Sequence, residues 1–303
     1  MPDTVLVVGE SLIDIVRGGD GSTTEFPGGS AANVAVAMAR LDRAVHFATS
    51  WGDDERGRVL ADWLARDRVE LATDPIAVAS TSTAQATLGS DGHATYEFDL
   101  TWRLNQLREA SPPLVAHTCS LGAVLEPGAA DVVAMLERLR ETTTISYDVN
   151  ARPAITGTGP ELVAQVERVA ALSDLVKASD EDLTVLYGEA DPVAGAKRLL
   201  ALGPAAVVVT RGGAGATWVT AVQEVDVAAF PVVVADTIAA GDTFSAAMLD
   251  ALWQRDLLGA AGREALRDAS RDVVVDVMAH AARAAAVTVG RPGADPPYRS
   301  ELL

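Results

Sequence analysis

The stretch DTIAAGDTFSAAMLDAL, Asp236–Leu252, sets two aspartates six residues apart around a short run of small residues. A strand-like PVVVA, Pro231–Ala235, leads into it, and Phe244, Met248, Ala251 and Leu252 follow at helical spacing. Ala239, Ala240 and Gly241 therefore fall at a helix N-terminus, where the first backbone N–H groups have no intrahelical partner. Side chains this small leave those amides open to an anion such as a phosphate. Asp242 then stands at the mouth of an anion pocket. A carboxylate there is awkward unless it accepts a proton or meets a metal, as the general base of a phosphoryl transfer does. An aspartate that merely caps the helix explains the stretch equally well when it is read alone.

Outward from this turn, short β-branched runs alternate with helical patterns. The strand candidates are Val5–Gly9, Val45–Gly52, His117–Val124, Thr144–Asn150, Asp174–Ser179 and Ala205–Gly213. DERGRVLADWLARD, GAADVVAMLERLR and DPVAGAKRLLAL have the three- and four-residue apolar spacing of helices. The rhythm predicts an α/β fold, a three-layer αβα sandwich around a mostly parallel central sheet. Two segments break it. Leu12–Phe26 reads as two strands about the turn GGDGS, and Ala77–Leu100 as two strands about SDGH, Ser90–His93. The pieces, about 12–26 and 77–103, would pair into a small separate sheet, either an edge decoration or a lid over the mouth of the large one. With no repeat or long linker, residues 1–303 are expected to form one domain.

Composition narrows the class. The chain carries 24 basic and 42 acidic residues, a net charge of −18. That argues against a general nucleic-acid surface and against an anionic membrane face. Cys119 is the only cysteine, which excludes an internal disulfide and suits a reducing, cytoplasmic setting. Asp3, Glu10 and Asp14 interrupt the first apolar run, so it does not read as a signal peptide, and no run reaches a membrane span.

Three more stretches carry chemistry. In FPGGSAANVAVAMARL, Phe26–Leu41, Gly28 and Gly29 permit close backbone approach, Ser30 can cap, and Asn33 in the first turn offers an amide to a sugar hydroxyl. Tight packing of small residues on a sheet is the plainer alternative. Asp14 interrupts an apolar run after the first strand, and vicinal sugar hydroxyls would satisfy a buried carboxylate there. In VVVTRGGAGATWV, Val207–Val219, a strand meets a glycine-rich loop without the Lys-Ser/Thr ending of a P-loop.

Taken in order, these stretches resemble the ribokinase-like carbohydrate kinases along essentially the whole chain. GGSAANVAVAMARLD is similar to the family's N-terminal signature, and DTIAAGDTF to its more specific C-terminal one. The resemblance implies an ATP-dependent sugar kinase that uses Mg²⁺ and, in many members, K⁺. It implies Asp242 as catalytic base and the amides of Ala239, Ala240, Gly241 and Asp242 as anion hole. Asp14, Gly29 and Asn33 are implied sugar contacts, and Lys177, Ser179, Thr210, Gly213 and Gly215 nucleotide contacts. A monovalent cation site is implied at Asp236, Ile238, Thr288, Arg291 and Gly293. The family's Asn-x-x-Glu metal motif is replaced by Ser179 and Asp182 in KASDEDL, leaving Asp182 to act on Mg²⁺ through water.

YDVNARPAI, Tyr147–Ile155, is similar to a stretch shared by fructokinases and 2-keto-3-deoxygluconate kinases, and Arg152 could meet a phosphate or a sugar-acid carboxylate. The tail is more like fructokinases. Trp102 and Arg103, in a lid unlike theirs, could shape the pocket differently. Fructokinase leads, ahead of 2-keto-3-deoxygluconate kinase, then ribokinase or a nucleoside kinase. A catalytically silent sugar-binding regulator on the same fold is the rival of another class. The lid also pairs subunits in several members, so a lid-paired homodimer is an expectation to test. His93, His280 and Cys119 are read as structural.

Overall fold

The computed structural model describes residues 3–19, 21–88, 94–108, 111–188 and 191–303. Among these residues thirteen strands form two sheets: β1 Val5–Val8, β2 Leu12–Arg17, β3 Thr23–Gly28, β4 Val45–Ala48, β5 Glu70–Leu71, β6 Thr83–Leu88, β7 Ala94–Asp99, β8 Val115–Cys119, β9 Thr144–Asp148, β10 Leu175–Ser179, β11 Ala206–Thr210, β12 Ala216–Val219 and β13 Glu224–Val227. The large sheet runs β13-β12-β11-β10-β9-β8-β1-β4-β5 and the small one β3-β2-β6-β7. Every pairing in the large sheet is parallel except β11–β12 and β12–β13.

The layers follow from strand alternation. Val5 and Val7 face a core with the helices Ser30–Arg40, Ala240–Trp253 and Arg271–Val289. Leu6 and Val8 face the other, with Gly128–Leu139, Pro160–Leu172 and Pro192–Leu200. A sheet covered on both faces needs strands apolar on both, which is why β1 reads as an unbroken apolar run. Ala supplies much of the first core, with Ala31, Ala32, Ala35, Ala246, Ala247 and Ala251 all buried, and such small side chains let helices approach the sheet closely.

The small sheet is built from the two segments that broke the rhythm. Ile13 and Ile15 point from β2 into the first core, while Asp14 lies on the opposite face, in one row with Phe26, Ala84 and Phe98. Asp54 anchors its base. The carboxylate caps the helix Glu55–Arg66 by accepting from the Gly57 amide at 2.8 Å, and it also accepts the Thr81 amide at 2.8 Å and hydroxyl at 2.6 Å. The SDGH turn and His93 lie outside the described residues.

Three sequence expectations need correction. His117–Val124 is strand only to Cys119; Ser120–Val124 is a short helix, entered at Ser120 with φ of 48°. Pro231–Ala235 is no strand, and among the described residues it pairs with none. Proline has no N–H to give, Val232, Val233 and Val234 are exposed, and the Ala235 and Asp236 amides reach the Val289 carbonyl instead. Beyond the glycine-rich loop the chain forms the β12–β13 hairpin, which the loop reading did not separate. Among the described residues no helix is long and apolar enough to cross a membrane.

Candidate active site

The site residues gather where the parallel strands end. Glu10 follows β1, Asn150 and Arg152 follow β9, Asp182 follows β10 and Gly213 follows β11. All lie just beyond the carboxyl ends of those strands, the edge where open α/β sheets bind ligands.

Asp242 sits in the first turn of the helix Ala240–Trp253 and is 6% exposed. Its Oδ1 accepts the Ser30 hydroxyl at 2.7 Å and its Oδ2 the Asn33 amide at 2.8 Å. Burial pushes its carboxyl above the ordinary value, and these two donors act against that rise. The helix is entered through Ala239, at φ 59° and ψ 11°, a left-handed conformation that an alanine adopts only at a cost of about 1–2 kcal/mol. The Ala240 amide makes a long bond, 3.3 Å, to the Thr237 carbonyl. A Cβ added at Gly241 would come within 3.4 Å of one side chain, the ammonium of Lys177.

That ammonium supplies positive charge beneath the turn. Lys177 Nζ donates to Asp148 Oδ2 at 2.6 Å, with the two side chains 6% and 1% exposed, and Ser245 donates to the same oxygen at 3.2 Å. Burial pulls the lysine's pKa down, but the adjacent Asp148 outweighs it and the net direction is up. Lys177 is thus a fixed cation under a helix N-terminus, the electrostatics a phosphate needs in an acidic protein.

The residues expected to meet a sugar lie around Asp14 and Gly29. Burial pushes the Asp14 carboxyl up to about 6, and the charge of Arg152 offsets part of the rise. Gly29 enters its helix at φ 106°, and a Cβ there would stand 2.7 Å from the Glu10 carbonyl, so only glycine fits. Ser30 is not the cap expected of it; Gly29 occupies that position and the Ser30 hydroxyl goes to Asp242 instead. Arg152 donates to the carbonyls of Asn150 at 3.2 Å and Ala151 at 2.9 Å. Arg103 is exposed, and among the described residues no bond ties its side chain to this cluster; its amide leans on Ser50 Oγ at 3.5 Å. Trp102 is buried in the second core and donates to the Gly122 carbonyl at 3.0 Å, so it anchors the end of the small sheet instead of lining a pocket.

The nucleotide and cation candidates lie on neighbouring turns. Thr210 ends β11, Gly213 is in the turn Gly212–Ala214, and Gly215 at φ 91° leaves room for the Ala228–Ala229 backbone. Ser179 and Asp182 form a capping box, and both Asp182 oxygens accept backbone amides, from Ser179 at 2.7 Å and Ala151 at 2.8 Å. That arrangement ties the β9 and β10 turns together and leaves Asp182 to a metal only through its remaining lone pairs. Asp236 accepts the amides of Ile238 at 3.0 Å and Gly293 at 2.9 Å, bonds that hold its carboxyl below the ordinary range. The Thr288 carbonyl accepts the Arg291 amide at 3.0 Å. His280 lies on the helix Arg271–Val289, its Nε2 3.4 Å from the buried Asp250 Oδ2.

The pfkB family carbohydrate kinase model matches residues 3–300. This chain belongs to the pfkB family of carbohydrate kinases. Among its pfkB relatives, a fructokinase from Klebsiella pneumoniae is 34% identical over 261 residues, 83% of this chain and 85% of that one. The crystal structure of fructokinase with bound ATP from Xylella fastidiosa superposes with a TM-score of 0.86 at 28% identity, covering 100% of this chain and 97% of that one. A double mutant of the Vibrio cholerae O395 fructokinase, in fructose, ADP and potassium ion bound form, gives 0.80 at 26% identity, with 100% and 98% covered. The nine-stranded sheet with a small four-stranded sheet is thus a ribokinase-like kinase fold.

Sequence reasoning passed over several groups in this pfkB kinase. Glu10 is 6% exposed and accepts the Gly122 amide at 2.7 Å. Asn150 donates to Ser30 and Asp148 pairs Lys177, while Cys119, read as structural, is buried in the neighbourhood of Glu10 and Asp242. Their position at the carboxyl ends of strands (Cys119, Asp148) or just past them (Glu10, Asn150) was the available signal. Burial raises the Glu10 carboxyl from 4.5 to about 7. A raised folded-state pKa stabilises the protein fully below the unfolded value and loses that contribution as pH rises from about 4.5 through 7. Glu10→Gln, whose amide oxygen can still accept the Gly122 N–H, is therefore expected to be more stable than the wild type at pH 8, by at most about 3–4 kcal/mol, and so to melt higher. At pH 5 the two should nearly coincide. Thermal unfolding at the two pH values checks this, and equal melting at pH 8 would refute it.

Proposed function

We propose that this pfkB kinase is a fructokinase that transfers the γ-phosphate of ATP to a primary hydroxyl of fructose. The observation that carries the chemistry is a buried carboxylate, Asp242, at the same bare helix N-terminus that Lys177 underlies. The observation that favours the sugar is the run of fructokinases among its relatives, several with fructose, ATP or ADP in their structures. In this reading Asp242 takes the hydroxyl proton as the oxygen attacks the γ-phosphorus in line. The amides of Ala239 to Asp242, with Lys177, take up charge on the transferring group. Asp14, Gly29, Asn33 and Arg152 hold the sugar, with Arg103 at the lid. Ser179, Thr210, Gly213 and Gly215 border the nucleotide.

Mg²⁺ would neutralise the phosphate oxygens. Among the described residues no three His, Cys, Asp or Glu side chains converge as a metal cage, so the ion would be held largely by the phosphates, with Asp182 reaching it through water. For K⁺ the donor set of Asp236 and the carbonyls of Ile238, Thr288, Arg291 and Gly293 is all oxygen, the chemistry a hard cation needs. Residues 1–303 act as one kinase domain, with 12–26 and 77–103 forming the lid, in a cytoplasmic enzyme. Val16, Phe26, Tyr96 and Phe98 are exposed on the face of the small sheet that carries Asp14. This patch supports a lid-paired homodimer, and a monomer by light scattering would end that part of the proposal.

The deciding experiment measures ADP release with Mg-ATP and K⁺ over fructose, 2-keto-3-deoxygluconate, ribose, adenosine and no sugar. Fructose is expected to give the highest kcat/KM. Preference for the sugar acid would assign Arg152 to its carboxylate and overturn the fructose reading, and silence across the panel would favour a protein that binds without catalysing.

A further inference from the structure

Asn33 was expected to meet a sugar and Ser30 to cap a helix, yet both spend a hydrogen on the Asp242 carboxylate. Ser30 is itself held from behind. Asn150 Nδ2 donates to Ser30 Oγ at 2.8 Å. A carboxamide nitrogen has only hydrogens to give, so Ser30 must accept there, and its single proton is left for Asp242 Oδ1. With the carboxamide reversed, one serine proton would have to serve two acceptors; the orientation described satisfies all three groups.

Asn150 is pinned in turn. It adopts φ of 38°, in the left-handed region that asparagine tolerates better than most residues. Its carbonyl accepts from Ser120 at 3.0 Å and from Arg152 at 3.2 Å, and the amide of the next residue, Ala151, is bound by Asp182. The turn after β9 is thus connected, through one serine hydroxyl, to a carboxylate on a helix some ninety residues later in the chain.

We propose that Ser30, directed by Asn150, is the positioning residue of the catalytic carboxylate: it holds Asp242 in one rotamer and plane, and Asn150 fixes the direction in which Ser30 donates. The inference rests on reading Asp242 as the base. Neither residue touches the reacting atoms; Ser30 acts through Asp242, and Asn150 through Ser30. A carboxylate held by two donors on different oxygens cannot swing, which keeps a lone pair aimed for proton transfer.

The test is steady-state kinetics against pH, with fructose and Mg-ATP, for the wild type, Ser30→Ala, Ser30→Thr, Asn150→Gly, the Ser30→Ala/Asn150→Gly pair and Asp242→Asn. The charged and titratable groups facing Asp242 are Lys177 and Asp148 beneath it, Glu10 beyond β1 and the Cys119 thiol on β8. None is substituted in the Ser30 and Asn150 variants, and the Cys119 thiol, which also meets Ser30, is pushed up by burial, away from the acid limb, so a moved acid limb reports the lost donor. Ser30→Ala is expected to lower kcat on the order of tenfold, the scale of a hydrogen bond to a charged group, with the KM for ATP unchanged. Because the hydroxyl favours the ionised carboxylate, its loss moves the acid limb to higher pH. Ser30→Thr, which keeps the hydroxyl, should restore most of both. Asn150→Gly, chosen because glycine accepts the left-handed backbone, should act in the same direction more weakly and add nothing in the Ser30→Ala background.

Unchanged kcat and acid limb in Ser30→Ala, or independent additive effects of the two substitutions, would overturn the relay. Should Ser30→Ala fail to fold, Asn150→Gly decides by the same limb. Asp242→Asn separates the two readings. If it retains turnover within tenfold of wild type, the base assignment fails and the relay with it; if it is inactive while Ser30→Ala matches wild type, the relay alone fails.

Discussion

Asp242→Asn is expected to lower turnover by about 10²- to 10⁴-fold, the range that a positioned general base contributes. The substitution keeps the shape of the side chain and removes its charge together with its capacity to take a proton. Folding should survive for a reason visible in the site. The new amide's oxygen can still accept the Ser30 hydroxyl, and its nitrogen would face Asn33, whose Oδ1 is buried without a hydrogen-bond partner. Rotating the Asn33 carboxamide would turn a donor–donor clash into a bond. Burial already disfavours the charge on Asp242, so a neutral replacement should melt no lower than wild type at neutral pH. ATP affinity, measured by calorimetry, should be nearly unchanged. Loss of both turnover and folding would point to a structural aspartate instead of a base.

Lys177→Met is expected to be the largest single loss of stability. Lys177 and Asp148 form an ion pair with 6% and 1% of their side-chain surface exposed. Methionine keeps the apolar stem and removes the charge, leaving Asp148 buried. Its Oδ1 already lacks a partner, and Ser245 is then the donor remaining to Oδ2. Breaking such a pair from one side costs about 3–5 kcal/mol, which for a chain of this size lowers Tm on the order of 10 °C. Asp148→Asn in the Lys177→Met background should recover much of that loss, because the uncompensated charge is gone. Turnover should not recover, since the cation beneath the Gly241 turn is still missing. A Tm within 2 °C of wild type would show that the pair contributes little. Activity regained in the double variant would remove Lys177 from the phosphate contacts.

The two aspartates of the opening stretch divide their work as their surroundings dictate. Asp242 is buried, held by two side-chain donors, and raised in pKa. Asp236 is partly exposed, held by two backbone amides, and lowered. Six residues of sequence cannot show that difference, because the donors to Asp242 come from positions 30 and 33 and one of those to Asp236 from position 293.

What the sequence determined by itself is whatever depends on local periodicity and on backbone freedom. The β-branched runs specified a doubly covered parallel sheet, the interrupted segments a second sheet, and the small residues 239–241 an open helix N-terminus. Those features need only the side-chain alternation of a strand, the 3.6-residue turn of a helix and the missing Cβ of glycine. The strand ends were less legible: Ser120–Val124 continues the run of β8 yet turns into a helix, and Pro231–Val234 keeps β-branched residues yet finds no partner strand among the described residues. What only the tertiary structure decided is which polar groups meet. Glu10 with Gly122, Asp148 with Lys177, and Asn150 with Ser30 and Asp242 are contacts across many residues of chain. Their energetics come from burial, where every carboxylate and hydroxyl must find a donor or acceptor among whatever the fold brings alongside, and no local pattern encodes that neighbour.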